Sequence, residues 1–484
     1  MSGNRQTVSS NMFWRFMERC GAQGVTFVVS IVLARILDPT VYGTVALVTV
    51  FTTIMQVFVD SGMGSALVQK KDADDLDFSS VFYFNLVFCV ILYVAAYFSA
   101  PLIALFYDRP ELTPLVRALS LMLIISGFKN IQQAYVSRHM LFKKFFYATL
   151  GGTIGAAIVG IWMAYQGYGV WALVAQHLFN AALDTIILWL TVKWRPGLKF
   201  SFERLKGLLG YGWKLLVSAL LDTGYKELRS LIIGKQYTDE DLAFYNRGTQ
   251  FPKFIVTNIN TSIDSVLFPA MSAEQNNRER VRTMTRRAIK TSTYLMMPLM
   301  MGLAVCAEPI VSLILTDKWL PCVFFLRIFC FTFAFYPVHT ANLNAIKAMG
   351  RSDLFLKLEI VKKIVGLIAL GTTMFISVQA MALSALVTSI LGQLINSWPN
   401  RKLLDYHYGD QIMDMLPQIC LSCVMGACVF AVGYLPLNAW QLLAIQIPLG
   451  GAIYVLGSKF FKIDSFEYVI GIALGFLKKL KKKH

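Results

Sequence analysis

The fold is decided by two long apolar stretches near the start of the chain, MFWRFMERCGAQGVTFVVSIVLARI (12–36) and VYGTVALVTVFTTIMQVFVDSGMGSALV (41–68), joined by the short break LDPT (37–40). A helix needs ~20 residues to cross the hydrocarbon core of a bilayer, and both stretches exceed that length. We therefore predict that the chain begins with a hairpin of two membrane-crossing helices.

Both predicted helices carry polar side chains that a helix surrounded by lipid would lack. The first has Arg15, Glu18 and Arg19 in its opening turns. Polar residues on the second recur at helical spacing and share one face of the helix. Charged groups at membrane depth usually face a bundle interior or a wet cavity and mark a pathway, so the pattern is typical of a transporter. The polar stripe of the second helix consists of Thr49, Thr52, Thr53, Gln56 and Asp60.

The rest of the chain repeats this theme. Of its 484 residues 56% are hydrophobic and only 15% are charged, which excludes an ordinary soluble protein of this size. We predict an all-α membrane protein with about 14 transmembrane helices, each ~20 residues or more. The predicted spans are 12–36, 41–68, 80–106, 112–136, 146–166, 170–192, 211–234, 242–268, 291–315, 320–346, 358–377, 380–399, 414–434 and 440–460.

The net charge of +17 reflects orientation in a membrane rather than binding to nucleic acid. If the N-terminus is cytoplasmic, Lys and Arg gather in the inside loops, and the outside loops hold little beyond Arg109, Lys235 and Lys318. This asymmetry predicts an even number of spans with both termini in the cytoplasm. The basic segment 273–290 is interpreted as a cytoplasmic loop, either solvated or in contact with anionic headgroups.

We predict that a second copy of the N-terminal sequence pattern starts at Tyr211, where Trp213-Lys214 matches Trp14-Arg15. The second copy ends in Asp264, as the first ends in Asp60, and has a polar stripe of its own. Six spans separate the copies, so we predict a parallel repeat with a site between its halves. The predicted domains are 1–210 (spans 1–6), 211–400 (spans 7–12) and 401–484 (two extra spans and a basic tail). The second stripe contains Asn246, Gln250, Lys253, Thr257, Asn260, Thr261 and Asp264.

Further charged residues fall inside the predicted spans. Asp222, Lys226 and Arg229 lie on one face of the seventh span, and we predict that the first two form an ion pair. Lys129 is interpreted as reaching back to the cytoplasmic surface, with a ligand role left open. His177 and Asp184 mark the sixth span, where the histidine either relays protons or makes an interhelical hydrogen bond. We predict no catalytic residues, no metal site and no cofactor.

Several segments resemble the polysaccharide transporter family of the multidrug/oligosaccharidyl-lipid/polysaccharide exporter superfamily, with flippases of the colanic-acid and O-antigen types most similar. The residues that carry the resemblance are ARILDPTVYG (34–43), DSGMGSALVQK (60–70), YN (245–246), LFPA (267–270), DKW (317–319) and MGRSD (349–353). The resemblance implies two six-helix lobes plus two added helices, a V-shaped cavity and alternating access. It also implies that a polyprenyl-diphosphate-linked oligosaccharide is moved across a bacterial inner membrane for surface polysaccharide biosynthesis.

The family supplies no invariant motif, so the candidate site rests on the polar stripes. Cations are expected to hold the diphosphate through charge-assisted hydrogen bonds, and neighbouring amides to face the sugars. Carboxylates are expected either to couple a proton or sodium ion or to neutralise buried arginine. The predicted substrate-binding residues are Arg15, Arg19, Arg229, Arg247, Lys253, Gln56, Gln250 and Asn246, and the predicted ion-coupling residues are Asp60, Asp264, Glu18 and Asp222.

Two alternatives stay open. A cation-coupled multidrug antiporter of the same superfamily would want a cavity dominated by acids. A membrane glycan polymerase or ligase would want a large external loop with catalytic residues, and the predicted outside loops are short. For the flippase, the expected partners are the lipid-linked oligosaccharide, the phospholipid bilayer and polysaccharide polymerase machinery.

Overall fold

The structure is a computed structural model, and it describes residues 14, 21–60, 63–70 and 72–471. The described chain folds into α-helices without strands. The helices of the first half are α1 (Gly21–Ile36), α2 (Pro39–Val59), α3 (Met63–Gln69), α4 (Asp75–Tyr107), α5 (Leu112–Arg138), α6 (Phe142–Tyr165), α7 (Val170–Thr191), α8 (Phe202–Gln236) and α9 (Asp239–Ala273). The remaining helices are α10 (Arg278–Val305), α11 (Ala307–Leu315), α12 (Cys322–Ala334), α13 (Tyr336–Ala348), α14 (Ser352–Thr373), α15 (Val378–Ser397), α16 (Asn400–Leu403), α17 (Tyr408–Val432) and α18 (Ala439–Phe460).

Ten spans in the described chain are long and apolar enough to cross a membrane, and the prediction of a multi-pass all-α protein is confirmed. Helices α12 and α13 together count as one of these spans, and so do α15 and α16. Four predicted spans fall outside the ten. Helix α1 is described only from Gly21, and α8, α9 and α14 are long but richer in charge.

Two boundaries differ from the sequence prediction. The predicted second span divides into α2 and the short α3. The basic segment interpreted as a loop is helical from Arg278, because Asn277 accepts a hydrogen bond from the backbone N–H of Arg280 and so caps α10. The positive charge of this segment is therefore carried on a rigid helical extension rather than on a loop.

The described chain divides into two compact units, of which unit 1 ends at Ala243 and unit 2 begins at Phe244. In unit 1 the closest pairing is that of α6 with α7, where glycines of α6 face large side chains of α7. A Cβ on Gly155 would lie 2.4 Å from Leu183, and one on Gly152 would lie 2.9 Å from Asp184. Glycine at these two positions therefore permits the close packing of α6 against α7.

Capping fixes where α4 begins. The Asp74 side chain accepts from the backbone N–H of Asp77, and the Asp77 side chain accepts from the backbone N–H of Asp74. Lys70 and Arg204 pair with these carboxylates from neighbouring segments. The backbone hydrogen bond from Asp77 and the guanidinium of Arg204 lower the pKa of Asp74. The loop before α4 is thus a helix cap, with Asp74 as the N-cap residue.

The start of α2 meets the start of α9 within unit 1. A Cβ on Gly43 would fall 2.0 Å from the backbone oxygen of Asp239, so only glycine fits there. Thr44 donates to the Asp239 carboxylate at 2.7 Å, and Arg109 forms an ion pair with the same group. Lys235 pairs with Asp108 beside them at 2.9 Å.

In unit 2, α17 and α18 pack against α10. Arg286 donates twice to Asp414, at 2.6 and 2.7 Å, and Tyr406 donates to the same carboxylate at 2.8 Å. Farther along α10, Tyr294 donates to Ser458 at 3.2 Å and its backbone oxygen accepts from Tyr454 at 2.8 Å. The last two predicted spans are therefore tied to unit 2 by polar contacts at two levels.

Candidate functional site

The polar stripe of α2 lines a cavity of about 440 Å³ inside unit 1. Helices α5 and α7 supply its other walls, so three membrane-spanning helices turn polar faces toward one space. An apolar helix with a single polar face is stable in lipid when that face is covered in this way. The polar residues of the cavity are Thr49, Thr52, Thr53, Gln56, Asp60, Ser126, Lys129, His177, Asn180 and Asp184.

An ion pair forms the charged centre of this cavity. The Lys129 ammonium lies 2.6 Å from the Asp184 carboxylate, and the two side chains are only 23% and 11% exposed. The interpretation of Lys129 as reaching back to the cytoplasmic surface is therefore wrong, since a carboxylate on the neighbouring helix holds it. Pairing lowers the free-energy cost of keeping both charges at this depth.

Asp60 stands at the end of α2, at the edge of the same cavity. Its carboxylate accepts a hydrogen bond from Gln56 at 3.3 Å. Asn130 of α5 donates to the backbone oxygen of Val59 at 2.8 Å, which satisfies a carbonyl at the end of the helix and fixes Asp60 against α5. Asp60 itself is exposed.

The cavity depends on the tight pairing of α6 and α7. A Cβ on Gly152 would lie 2.9 Å from the Cβ of Asp184 and 3.0 Å from the Asn180 side chain. The absence of a side chain at this position lets α7 approach α6, so Gly152 sets where Asp184 and Asn180 stand.

The polar stripe of α9 has a different environment in unit 2. Gln250, Lys253 and Asp264 are all exposed. The Asp264 carboxylate accepts a hydrogen bond of 2.7 Å from Asn344 of α13, which is fully buried. This stripe therefore keeps its polar groups on an open surface of unit 2 and is anchored at one end by a neutral amide.

Arg247 lies on α9 next to the first residue of the stripe and is buried, with 5% of its surface exposed. Its guanidinium donates to the Gln250 amide oxygen at 2.8 Å and lies 4.9 Å from the ring centre of Trp319. A cation over an indole face gains further electrostatic stabilisation. Asn246 lies half-buried on the same helix.

On α8 the predicted ion pair is confirmed, with 2.6 Å between Lys226 and Asp222. Both side chains are well exposed, so the pair stabilises the helix only weakly. Arg229, one turn farther on, is half-buried. The predicted site residues Arg15, Glu18 and Arg19 lie outside the described residues.

Three features were not predicted from the sequence: the ion pair of Lys129 with Asp184, the position of Asn180 in the cavity wall, and the hydrogen bond from Asn344 to Asp264. One of these had a detectable signal: His177, Asn180 and Asp184 follow the i, i+3, i+7 spacing of one helix face. The other two join residues that are distant in sequence, for which periodicity provides no signal. In the described chain, no cluster of three or more His, Cys, Asp or Glu has an arrangement that would hold a metal ion.

Comparison with known proteins identifies the family. The model of the family described as "Polysaccharide biosynthesis protein" matches residues 32–324, which is more than half of the chain. The chain belongs to this family. The sequence-based resemblance is thereby confirmed, and the match includes the whole cavity of unit 1 and Asp264.

Two bacterial proteins named for polysaccharide biosynthesis are similar to this chain over long stretches. The teichuronic acid biosynthesis protein TuaB of Bacillus subtilis (strain 168) is 25% identical over 424 residues, covering 84% of this chain and 85% of that protein. The succinoglycan biosynthesis transport protein ExoT of Rhizobium meliloti (strain 1021) is 25% identical over 317 residues, covering 65% and 64%. ExoT is named as a transport protein, which agrees with the prediction from the sequence that this chain is a transporter.

A solved structure shares the fold of this family member. The lipid II flippase MurJ, in an inward closed conformation, superposes with a TM-score of 0.72 at 16% identity, covering 95% of this chain and 99% of that one. At this level of identity the likeness establishes the fold alone.

Proposed function

We propose that this protein is a flippase that moves a polyprenyl-diphosphate-linked oligosaccharide across the bacterial inner membrane by alternating access, for surface polysaccharide biosynthesis. The observation that carries the proposal is family membership over residues 32–324 in a chain with ten membrane-spanning helical segments. The relative ExoT, named as a transport protein, and the shared fold with a lipid flippase support the same activity.

The charged headgroup of such a substrate needs cations that water does not fully neutralise. We assign this role to Arg229, Arg247 and Lys253, together with Arg15 and Arg19 outside the described residues. The supporting observation is that the first two are partly or largely buried on long helices, where a phosphate gains more from each hydrogen bond than in bulk water. Gln56, Asn246 and Gln250 are assigned to the sugars.

Ion coupling is assigned to Asp60 and Asp264, with Glu18 and Asp222 as further candidates and a proton or sodium ion as the coupled species. Asp60 and Asp264 each accept a hydrogen bond from a neutral amide, Gln56 and Asn344 respectively. A carboxylate in that setting keeps charge and lone pairs for an incoming cation. Asp222, by contrast, is engaged by Lys226.

The proposed architecture has 14 transmembrane helices, in two six-helix lobes (1–210 and 211–400) related by a parallel repeat, followed by two added helices in 401–484. Both termini are proposed to be cytoplasmic, on the distribution of Lys and Arg between loops. Polysaccharide polymerase machinery is proposed as a functional partner.

One observation favours a second candidate function, a cation-coupled multidrug antiporter of the same superfamily. The cavity of unit 1 is lined by two carboxylates, Asp60 and Asp184, against one ammonium, Lys129. An acid-rich cavity suits an organic cation better than a diphosphate. The third hypothesis, a glycan polymerase or ligase, has no supporting observation in the described residues.

Deletion of the gene, followed by extraction of lipid-linked sugars, separates these functions. A flippase deletion accumulates a complete lipid-linked repeat unit on the inner leaflet. A deleted polymerase or ligase leaves complete units accessible from outside the cell, and a deleted antiporter leaves lipid-linked sugars unchanged and raises sensitivity to cationic drugs.

Complementation of the deletion strain tests the assigned cations. Arg229→Ala should reduce export at least tenfold while the protein still inserts in the membrane, whereas the control Arg351→Ala, in an exposed pair with Asp353, should complement fully. Full activity of Arg229→Ala would remove Arg229 from the diphosphate site.

A further inference from the structure

Unit 2 contains a second cavity, of about 380 Å³, to which the proposed transport chemistry assigns no role. It lies where the ends of α10 and α17 meet the beginnings of α11, α12 and α18. Arg401 and Lys402 lie just before the start of α17, and the cavity lies at the other end of that helix. The cavity is built partly from helices beyond the two proposed six-helix lobes, so it is separate from the polar stripes of α2 and α9.

Charges of opposite sign stand side by side in this cavity. A terminal nitrogen of Arg327 lies 3.7 Å from the Glu308 carboxylate, beyond hydrogen-bonding distance, and the side chains are 41% and 66% exposed. Arg327 is held in place by the hydrogen bond from its Nε to the backbone oxygen of Ala304, at 3.2 Å. The guanidinium is therefore positioned by the protein, and both Arg327 and Glu308 line the cavity.

Gln446 of α18 provides a third polar group. Gln446 is 3% exposed, and its side-chain amide nitrogen donates to the backbone oxygen of Val429 at 3.1 Å. In the described part of the chain no group donates to its Oε1, although Gln446 lines the cavity. A buried acceptor without a donor carries a free-energy cost, which a ligand with a donor group would remove.

Apart from Ser312, the remaining walls are largely apolar. Leu320, Leu442 and Phe430 line the cavity, and Phe430 packs edge-on against Tyr434 at 5.4 Å. Tyr434 is 79% exposed, and Trp440 nearby on α18 is 67% exposed. Exposed tyrosine and tryptophan at the ends of apolar helices are typical of the membrane–water interface, so the cavity lies at the depth of lipid headgroups.

We propose that this cavity binds a zwitterionic phospholipid whose headgroup carries a primary ammonium, such as phosphatidylethanolamine. Its phosphate lies against Arg327, its ammonium lies against Glu308 and donates to Oε1 of Gln446, and its chains continue along the apolar wall. A purely anionic headgroup would meet the Glu308 carboxylate, and a quaternary ammonium has no N–H to give to Gln446. The headgroup with both charges and an N–H donor is the one that matches all three residues.

Native mass spectrometry of the full-length protein, released from detergent with defined lipids, tests the proposal. The probes are phosphatidylethanolamine, phosphatidylcholine and phosphatidylglycerol with identical acyl chains. The first should bind about tenfold more tightly than the other two, which corresponds to one charge-assisted hydrogen bond of about 1.4 kcal/mol. Equal binding of the first two would overturn the proposal, because recognition would then not depend on the N–H donor.

Two variants place the effect at this cavity. Glu308→Gln changes an exposed residue, and Gln446→Met removes the acceptor; each should lose the preference for the primary ammonium. Asp353→Asn, in an exposed ion pair elsewhere in unit 2, is the matched control and should keep it. Retention of the preference in Glu308→Gln would overturn the proposal even if Gln446→Met failed to fold.

A sugar is the competing occupant, because aromatic, amide and charged groups also bind hydroxyl-rich ligands. Maltose in the same spectra is the probe. Saturable binding of maltose that Glu308→Gln abolishes, without a lipid preference, would replace the headgroup by a glycan. The lipid result is independent of the proposed flippase function, which is tested by the deletion strain.

Discussion

The polar stripes of α2 and α9 have the same sequence pattern and different environments. The α2 stripe lines a cavity that α5 and α7 close, with Lys129 paired to Asp184 at its centre. The α9 stripe in unit 2 is exposed over Gln250, Lys253 and Asp264. The repeated sequence pattern therefore determines which helices carry a polar face. The neighbouring helices determine whether the charges on that face are paired within the protein or remain accessible to a ligand.

The largest expected effect comes from breaking the buried pair of unit 1. Lys129→Met should destabilise the protein by about 3–5 kcal/mol, because it leaves the buried Asp184 carboxylate without its cation. Unfolding in detergent, followed by intrinsic fluorescence at pH 7, measures the change. The matched control is Lys226→Met, whose exposed pair with Asp222 has the same 2.6 Å length and should cost less than about 1 kcal/mol.

The double variant Lys129→Met, Asp184→Leu sharpens this test. Replacing both charges by apolar groups should recover most of the lost stability, because no uncompensated charge remains. Equal losses in Lys129→Met and Lys226→Met would show that the burial of the Lys129–Asp184 pair has no energetic consequence.

The next effect tests whether close helix packing supports the unit 1 cavity. Gly152→Ala should destabilise the protein by about 1–3 kcal/mol, since the added Cβ would lie 2.9 Å from that of Asp184. Gly371→Ala on α14 of unit 2 is the control, because nothing lies within 4 Å of its Cβ. Alanine is favoured over glycine in helices by up to about 1 kcal/mol, so the control should be neutral or stabilising. Thermal unfolding in detergent gives both values, and a neutral Gly152→Ala would contradict the prediction.

The smallest expected effect concerns the open stripe of unit 2. Asp264→Asn keeps an oxygen that can accept the hydrogen bond from Asn344, so the free energy of unfolding should change by less than about 1 kcal/mol. If Asp264 couples an ion, export in the deletion strain should nevertheless fall about tenfold, a change of about 1.4 kcal/mol in activation free energy. Asn344→Leu is the complementary variant, and it should lower export by displacing Asp264 while leaving its charge. Full export in Asp264→Asn would remove Asp264 from ion coupling.

The sequence predicted what depends on one helix at a time. Hydropathy located the membrane-spanning segments, and i, i+4 spacing paired Asp222 with Lys226, because both residues belong to α8. The cytoplasmic position of both termini, inferred from the charges along the chain, stays a prediction. The polar face of α2 was also predictable, since helical period alone places Gln56 and Asp60 together.

What depends on two helices was not predictable. Lys129 and Asp184 lie on α5 and α7, and an isolated lysine near a helix end has the same pattern whether it reaches water or a carboxylate. The contact of Asn344 with Asp264 was not predictable for the same reason, because the sequence of α13 does not indicate which helix Asn344 contacts. The segment 273–290 was wrongly predicted to be a loop, because many charged residues are typical of a loop. In the structure most of these charges lie on the capped start of α10.

The start of α2 and the start of α9 are joined at Gly43 by several contacts with one residue. The backbone oxygen of Asp239 touches one helix, and its carboxylate is shared by Thr44 and Arg109, so three contacts end on a single residue. Each is short-ranged and vanishes within an ångström or so of separation. Separating the two helix starts would therefore remove all three contacts at once, and Asp239 is the residue on which this junction depends.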